Sequence, residues 1–398
     1  MNYVFGFTAL MVAQLAISMH YFSVRMFTVN ESREEMAVLR KILASPFVGS
    51  MTSPHSVDHY LDQVHPMLAV HNVRARVIEV IHETGHASTV VLKANKTWSG
   101  FKPGQHVQFG VDVEGTRRIR CFSVSSSDKP KDGHFSVSVK AHPDGYVSRF
   151  LHQELRPGTH VFLSKAEGDF VLPEVVPDNV LLISGGSGIT PLMSMLRSLR
   201  DRGHDRPVTF LHYARSAQDE MFHDELDDIA ANCPWARMVR IYTREPAPGA
   251  ELAGRFNIDH LKHHGIDIAS TPTYLCGPAG LIKTVRDTFA EVGAEDQLWF
   301  EYFKIPSVDL NAPDATGTIT FDDSDIEVAN DGRSILEQAE AAGLKPKYGC
   351  RMGVCSTCTT QKKHGAISNI ISGEVRANTD EPIKICVNKP VGDVCVAL

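Results

Sequence analysis

The sequence predicts three consecutive folding units: an antiparallel β-barrel, a parallel α/β sheet and a small α+β unit. Short strand-like runs between residues 73 and 165, separated by Gly, Pro and Asp (K-P-G-Q, P-K-D-G, H-P-D-G, R-P-G-T), predict the barrel. After about residue 177, apolar strands alternate with amphipathic helices, which is typical of a parallel sheet. The α+β unit, residues 316–398, is predicted around a cluster of cysteines near the C-terminus.

Length and composition agree with a multidomain globular protein. A chain of 398 residues suggests two or three domains. The contents of 43% hydrophobic and 22% charged residues are ordinary. The net charge of −7 and the lack of a Lys/Arg run argue against a nucleic-acid partner.

The N-terminal segment 1–30 is apolar, and a polar helical lead segment is predicted to follow at 31–70. Residues 3–22 are long enough to be considered as a membrane span, and without a basic region before them they do not resemble a signal peptide. Three interpretations stay open: a membrane anchor or interfacial helix, a helix packed on the body, or a true start at Met26 or Met36.

The barrel is assigned to residues 71–174 and the α/β domain to residues 175–303. A linker rich in Pro, Asp and Asn is predicted at 304–315, before the C-terminal unit. The predicted barrel strands are Val73–Ala94 (as two runs), Gln105–Val113, Arg117–Ser125, Phe135–Ala141 and His160–Lys165. The predicted α/β strands are N-V-L-L-I-S, V-T-F-L-H-Y-A, M-V-R-I-Y-T and T-Y-L-C.

A glycine loop, G-G-S-G-I-T-P, follows the first α/β strand. Gly185, Gly186 and Gly188 are expected to let a pyrophosphate approach the backbone. Thr190 is expected to cap the next helix, with Pro191 at its first position, so that the positive helix end faces the phosphates. A plain strand-to-helix turn is the alternative.

A second loop, Y-L-C-G-P, closes a later strand. Ligands of open α/β sheets bind outside the carboxyl ends of the strands. Cys276, Gly277 and Pro278 are therefore predicted to line a nicotinamide site, where a small side chain admits a flat ring. The alternative for Cys276 is a buried small hydrophobic residue.

Four cysteines have the spacing of a plant-type [2Fe–2S] centre. Cys350, Cys355 and Cys358 form C-x4-C-x2-C, and Cys386 is predicted to be the distant fourth ligand. A four-thiolate zinc site and a disulfide are the alternatives, but zinc knuckles are usually paired C-x2-C and nothing else suggests an oxidising compartment. Cys395, in an alternating final strand, is the rival fourth ligand.

Two histidine motifs are set aside. H-E-x-x-H, at His82–His86, joins two predicted strands and contains a glycine, whereas a zinc protease needs this motif on a helix. H-x-x-H-H, at His260, His263 and His264, occurs once and is assigned to a solvated helix end.

The run R-I-R-C-F-S, in the predicted barrel, matches a motif of a known protein family. With its motifs the sequence resembles the ferredoxin–NADP reductase superfamily, in the branch with a C-terminal plant-type ferredoxin, over roughly residues 70–398. The resemblance implies that Arg120 holds a flavin phosphate, that Phe122 lies on the isoalloxazine ring and that Ser123 bonds near flavin N5. Cys121 lies within this predicted flavin-binding run.

The same resemblance assigns the other cofactor residues. Gly145, Val147 and Ser148 match the pyrophosphate loop, which implies FAD, with FMN as the alternative. Ser123 and Cys276 are the implied catalytic residues, with Cys276 near the nicotinamide. The resemblance also implies a β-grasp fold for the ferredoxin domain.

The choice between NADPH and NADH depends on two strand ends, H-Y-A-R-S and I-Y-T-R-E. Arg215, Ser216 and Arg244 are placed to meet a 2′-phosphate, and no Asp or Glu ends the first strand to hold a 2′-hydroxyl. NADPH is therefore predicted, with NADH as the alternative and solvated loop arginines as the ordinary explanation.

The predicted reaction is oxidation of NAD(P)H, with electrons passing through FAD and the cluster to a separate protein acceptor. The runs Y-G-C-R-M-G-V-C-S-T-C-T and S-P-H-S-V-D-H-Y-L resemble reductases of membrane fatty-acyl desaturases. A soluble oxygenase or monooxygenase, a hybrid-cluster protein, or a slow redox sensor are the alternatives. The expected location is cytoplasmic, with possible membrane association through residues 3–22.

Overall fold

The computed structural model describes residues 57–113, 116–130, 132–143, 145–244, 252–303, 316–353 and 356–398. The chain divides into two compact units, Met1–Gln63 and Val64–Leu398. Of the predicted helical lead segment, the structure describes α1 (Val57–Val64) and a 3₁₀ turn, Pro66–Leu68. The apolar segment 3–22 and the predicted linker 304–315 lie outside the described residues. No described helix is long and apolar enough to cross a membrane.

The first sheet of the larger unit is antiparallel and six-stranded, as predicted. Its strands are β1 (Val73–Thr84), β2 (Ala87–Ala94), β3 (His106–Val113), β4 (Thr116–Ser123), β5 (His134–Lys140) and β6 (His160–Leu163), in the order β4-β3-β6-β1-β2-β5. A bridge from Val124 to Val137 brings the two end strands together and closes the barrel. Helix α2 (Tyr146–Gln153) follows β5, and its Leu151 is fully buried with Phe109 of β3 in the barrel core.

The second sheet is parallel, which confirms the predicted α/β domain. Its strands are β7 (Val180–Gly185), β8 (Val208–Ala214), β9 (Ala236–Tyr242), β10 (Thr273–Gly277) and β11 (Leu298–Tyr302), in the order β11-β10-β7-β8-β9. Strand β11 was not predicted from the sequence. Helices α3 (Ile189–Asp201), α4 (His223–Asn232), α5 (Ile258–His263) and α6 (Ala279–Glu291) connect the strands.

The strand order places the ligand site. Successive strands β7, β8 and β9 run to one side of the sheet, whereas β10 and β11 add on the other side of β7. The carboxyl ends of β7 and β10 therefore flank a topological switch point, where ligands of such sheets bind. All six residues of β7 are buried, as expected for a central strand covered on both faces.

The third sheet belongs to the predicted α+β unit. Its strands are β12 (Thr318–Phe321), β13 (Ile326–Ala329), β14 (Thr359–Asn369), β15 (Val375–Arg376), β16 (Glu381–Lys384) and β17 (Asn388–Val396). They run in the order β13-β12-β17-β14-β15, with β16 paired to β14. Helix α7 (Ile335–Ala341) packs on this sheet and begins with a capping box between Ser334 and Glu337.

Two local predictions were wrong. Thr190 does not cap α3, because the helix begins at Ile189 with Gly188 at the N-cap, and the Thr190 hydroxyl donates to Ser187 O instead. Pro191 consequently takes the third helical position. His260 is buried rather than solvated, and its ring hydrogen-bonds the Tyr213 hydroxyl at 2.8 Å.

Candidate functional site

Three of the four predicted cluster ligands converge in the C-terminal domain. Cys350, Cys358 and Cys386 are each buried, and the Cys386 thiol hydrogen-bonds both of the others. The contact with Cys386 lowers the pKa of Cys358 to about 7, and the contacts with Cys350 and Cys358 raise the pKa of Cys386. None of the described cysteines forms a disulfide. Close contact between buried cysteines is the arrangement that a cluster held by cysteine ligands needs.

The loop that carries these thiols is tightly curled. Arg351, Gly353 and Ser356 all have positive φ, at +57°, +80° and +54°. A Cβ on Gly353 would lie 2.8 Å from a methyl group of Val387, so this position requires glycine. Arg351 and Ser356 are not glycines, so their positive φ angles cost conformational free energy. Strain of this kind is typical of loops that bind a ligand.

One backbone amide of the loop donates to a cysteine sulfur, and a lysine binds the loop backbone. The Met352 amide donates to Cys350 Sγ at 3.3 Å, and Lys384 Nζ binds Gly353 O at 2.6 Å. Amide bonds to thiolate sulfur are among the features that set the potential of iron–sulfur centres. The residues present therefore fit the predicted cluster.

The two candidates for the fourth ligand, Cys386 and Cys395, have different surroundings. Cys395 is buried within β17, opposite Thr320 and His364 of neighbouring strands, while Cys386 makes the thiol contacts. The predicted ligand Cys355 lies outside the described residues, so the described part of the chain does not by itself hold a complete metal site.

In the barrel, Ser123 ends β4 directly opposite His106 of β3. The Ser123 hydroxyl is buried and has no hydrogen-bond partner among the described residues, and the same is true of His106 Nε2. Buried polar atoms are almost always satisfied. Both atoms can therefore form a hydrogen bond with a ligand. The predicted contact with a flavin would provide a partner for the Ser123 hydroxyl.

The rest of the predicted flavin run lies on the same strand. The Arg120 side chain is half-buried and its guanidinium donates to Ile119 O at 2.7 Å. Phe122 is half-buried and meets Phe109 edge-on, with ring centroids 6.1 Å apart. Cys121 is half-buried between them in sequence. A partly exposed cation and aromatic ring in this arrangement are available to a ligand.

The predicted pyrophosphate loop does stand at a helix start. Gly145 is the N-cap of α2, and a Cβ there would lie 2.4 Å from the Ser148 hydroxyl. That hydroxyl donates to Gly145 O and accepts from the His142 amide, both at 3.2 Å. Val147 points into the barrel core. Ser148 thus shapes the loop, and the N-terminal end of the helix is the part that would face an anion.

The two glycine-containing loops of the α/β domain, one after β7 and one after β10, pack closely against each other. A Cβ on Gly188 would lie 2.2 Å from Cys276 O, and one on Gly277 would lie 3.0 Å from Gly185 N. A Cβ on Gly185 would meet Pro278 and Leu281 at 2.8 Å each. Backbone contact therefore favours glycine at positions 188 and 277, whereas the side chains of Pro278 and Leu281 leave little room for a side chain at position 185.

Gly186 differs from the other glycines of the first loop. Its φ is +53° and a Cβ there would meet nothing within 4 Å. This is the position where the open backbone faces free space, as close approach of a phosphate requires. The sequence prediction treated Gly185, Gly186 and Gly188 alike, and the structure separates their roles.

Cys276 lies fully buried at the end of β10, beside Glu301 of β11. Burial and the nearby Glu301 carboxylate raise the pKa of the Cys276 thiol well above its usual range, so it stays protonated at neutral pH. Glu301 Oε1 in turn lies 3.5 Å from His106 Nδ1, and Glu301 Oε2 has no hydrogen-bond partner among the described residues.

These contacts join the two predicted catalytic residues. Ser123 lies opposite His106, His106 reaches Glu301, and Glu301 neighbours Cys276. Sequence analysis missed His106 and Glu301. The only available signals were a polar residue at the start of an apolar strand and a carboxylate in W-F-E-Y, a strand that was itself not predicted.

Helix α3 is fastened to the barrel segment that follows Ser123. Ser194 donates to Ser126 O at 2.7 Å, and Arg197 donates to Ser125 O at 2.6 Å while pairing with Glu225. These bonds link the helix that follows the glycine loop to the chain that follows the flavin run. The two predicted binding loops are thereby placed at one junction.

The predicted 2′-phosphate residues lie at neighbouring strand ends. Arg215 and Ser216 follow β8, Arg244 follows β9, and the Arg244 amide donates to Arg215 O at 3.1 Å. The side chains of both arginines are exposed. Two cations are thus available at this edge of the sheet.

The H-E-x-x-H motif lies in a β-hairpin and not on a helix. His82 and Glu83 lie in β1, at a hairpin, where they hydrogen-bond Ser88 and Thr89 of β2.

Three family models match the chain in the predicted order. They are an oxidoreductase FAD-binding domain at residues 75–171, an oxidoreductase NAD-binding domain at 182–287 and a 2Fe-2S iron-sulfur cluster binding domain at 319–391. An "NADPH oxidoreductase" of Mycobacterium tuberculosis is 34% identical over 363 residues, covering 90% of this chain and 91% of the relative. The chain belongs to the ferredoxin–NADP reductase superfamily. It is an oxidoreductase that passes electrons from NAD(P)H to FAD and on to a [2Fe–2S] cluster.

Other members of the superfamily are similar along most of their length. A glycine betaine monooxygenase reductase subunit of Chromohalobacter salexigens is 31% identical, covering 82% of this chain and 95% of the relative. The solved structure of phthalate dioxygenase reductase shares the fold, with a TM-score of 0.53 and 21% identity, covering 82% of this chain and 97% of that one.

Arg120→Ala is expected to empty the flavin site, because it removes the half-buried cation of the predicted phosphate contact. The flavin-to-protein ratio of the purified variant, read from its visible spectrum, checks this. Arg118→Ala, on an exposed position two residues earlier in β4, is the control and should purify yellow. Full flavin content in Arg120→Ala would contradict the assignment.

Proposed function

We propose that this reductase oxidises NADPH and delivers single electrons through its cluster to a membrane fatty-acyl desaturase. The observation that supports the electron route is the arrangement of four residues: Ser123 and His106 are cross-strand neighbours, His106 lies 3.5 Å from Glu301, and Glu301 and Cys276 are cross-strand neighbours. The desaturase assignment is supported by two runs that resemble reductases of membrane desaturases, one in the cluster loop and one in the lead segment. Residues 3–22 would then hold the reductase at the cytoplasmic face of the membrane.

A second candidate acceptor is the oxygenase component of a monooxygenase system. It is favoured by the names of relatives, among them the glycine betaine monooxygenase reductase subunit and one component of the 1,2-phenylacetyl-CoA epoxidase of Escherichia coli, which is 28% identical. Both candidates require the same chemistry of this chain and differ only in the partner.

When bound, FAD takes up two electrons together and gives them up singly, and the cluster carries one at a time. The chain's own residues supply position and polarity. The loops that contain Gly188 and Cys276 pack closely against each other. They would bind the nicotinamide in an apolar environment, because the Cys276 thiol is neutral. We infer that Ser123, His106 and Glu301, with their unfilled hydrogen-bonding capacity, hold the flavin edge and accept or return the accompanying proton.

NADPH is the proposed donor because Arg215 and Arg244 lie at adjacent strand ends with exposed cationic heads. Arg215→Ala is expected to lower kcat/KM for NADPH by about tenfold and to leave that for NADH nearly unchanged, since one charge-assisted bond to a phosphate contributes about 1.5–3 kcal/mol. Steady-state ferricyanide reduction with each nucleotide measures this. An unchanged ratio of the two kcat/KM values would refute the preference.

The proposed route is tested by anaerobic mixing of the holoenzyme with NADPH. Bleaching of the flavin absorbance should precede the appearance of the EPR signal of the reduced cluster. Addition of purified desaturase or oxygenase component should then discharge that signal within one turnover. A cluster that stays oxidised in the presence of excess NADPH would refute the serial route.

A further inference from the structure

The cluster loop lies in a basic stretch of an otherwise acidic chain. Residues 341–373 contain no Asp or Glu but five Lys or Arg, although the whole chain has a net charge of −7. This stretch runs from the end of α7, through the cysteine loop, into the turn that follows β14. The part of the sequence that contains the cluster loop is therefore net positive.

The five cations differ in how they are used. Lys362 is fully buried and pairs with Glu381, and Lys363 pairs with Asp322. These two stabilise the fold. Lys345 and Lys347 are exposed, and neither has an ion pair among the described residues. Two uncompensated cations thus precede the first cluster cysteine.

The residues nearest the first cysteine complete this surface. Tyr348 is 38% exposed, and the Arg351 guanidinium lies over its ring, 3.9 Å from the centroid. Arg351 also pairs with Glu340, which fixes its position. Cys350, between them in sequence, is buried. Because an electron must cross the surface that covers the thiols, an acceptor has to dock close to these side chains.

We propose that Lys345, Lys347, Tyr348 and Arg351, here called the basic rim, form the docking surface for a protein acceptor whose own docking face carries carboxylates. This inference rests on the proposed function, in which electrons leave through the cluster. A Tyr–Arg pair preceded by two lysines without an ion pair among the described residues has the composition of a binding hot spot with electrostatic steering. Polybasic membrane sites usually contain about four to eight cations, more than the three of the rim, and so a protein partner fits better.

The test compares two one-electron acceptors of opposite charge, the acidic cytochrome b5 and the basic cytochrome c, with the NADPH-reduced holoenzyme. Lys345→Glu/Lys347→Glu is expected to lower kcat/KM for cytochrome b5 about tenfold at low ionic strength and to raise it for cytochrome c. Lys345→Gln/Lys347→Gln should fall between. The difference between wild type and variant should shrink as salt is added, because salt screens exposed charges.

Lys93→Glu/Lys96→Glu is the matched control. It makes the same charge change at exposed lysines of the barrel domain, and its rates should stay within about twofold of the wild type. All variants must carry full flavin and cluster absorbance. Equal effects of the two double charge reversals on cytochrome b5 would overturn the proposal.

Two other outcomes would also overturn it. If Lys345→Glu/Lys347→Glu slows reduction of its own cluster by NADPH, the rim docks the flavin domain. If the variant loses binding to phosphatidylglycerol vesicles while cytochrome b5 rates are unchanged, the rim contacts lipid. Failure of the proposed function itself is distinct, because the wild-type cluster would then give no reduced EPR signal with NADPH.

Discussion

Cys386→Ser is expected to abolish NADPH-dependent reduction of cytochrome c, by at least about a hundredfold, while ferricyanide reduction through the flavin survives. Cys386 is the thiol that contacts both Cys350 and Cys358. Its substitution therefore removes the predicted ligand that lies nearest to the other two. A cluster that cannot assemble removes the one-electron exit but leaves the barrel and the parallel sheet intact. Steady-state rates with both acceptors, together with iron and acid-labile sulfide content, measure the result.

Cys395→Ser provides the matched control for this prediction. Cys395 is buried within β17 and is the rival candidate for the fourth ligand. The substitution should leave the cluster and both activities in place, at a modest cost in stability. Retention of cluster by Cys386→Ser and loss of it by Cys395→Ser would reverse the ligand assignment. Equal loss of both activities in Cys386→Ser would argue against the serial route.

Gly188→Ala is expected to damage both the stability of the α/β domain and its use of NADPH. The new methyl group would lie 2.2 Å from Cys276 O and 2.6 Å from Gly277 N, and both are backbone atoms that cannot move cheaply. Overpacking of this kind costs about 1–3 kcal/mol. Separation of the two loops should also lower kcat/KM for NADPH at least about tenfold, since a displacement near ~1 Å can cost about a hundredfold.

Thermal unfolding and ferricyanide reduction measure the two effects of Gly188→Ala. Gly85→Ala is the control, because a Cβ at this hairpin glycine meets nothing within 4 Å and its φ is not in the left-handed region. It should leave both quantities nearly unchanged. Wild-type stability and kcat/KM in Gly188→Ala would show that the loops are not held in contact in solution.

Much of the fold could be predicted because local patterns carry it. Alternation of apolar and polar residues predicted the barrel runs within a few residues, and the strand-helix alternation predicted the parallel sheet. The prediction failed at β11, where L-W-F-E-Y is short and its strand conformation depends on pairing with β10. It also failed at His260, whose burial depends on Tyr213, a residue distant in sequence.

The candidate site divides in the same way. The cysteine spacing and the run around Ser123 could be identified directly, because their chemistry needs certain residue types at certain spacings. The sequence alone could not separate Gly188, which is needed for backbone contact, from Gly186, which faces open space. It could not find His106 and Glu301 either, because each gains its meaning only from the other.

Periodicity and local spacing in the sequence were enough to predict most of the strands and helices, the order of the three domains and the cysteines proposed as cluster ligands. The tertiary structure alone decided which glycines the packed loops require, which buried polar atoms meet between Ser123 and Cys276, and which lysines near the cluster remain unpaired among the described residues. Those features depend on contacts between residues far apart in the chain, and no local pattern records such contacts.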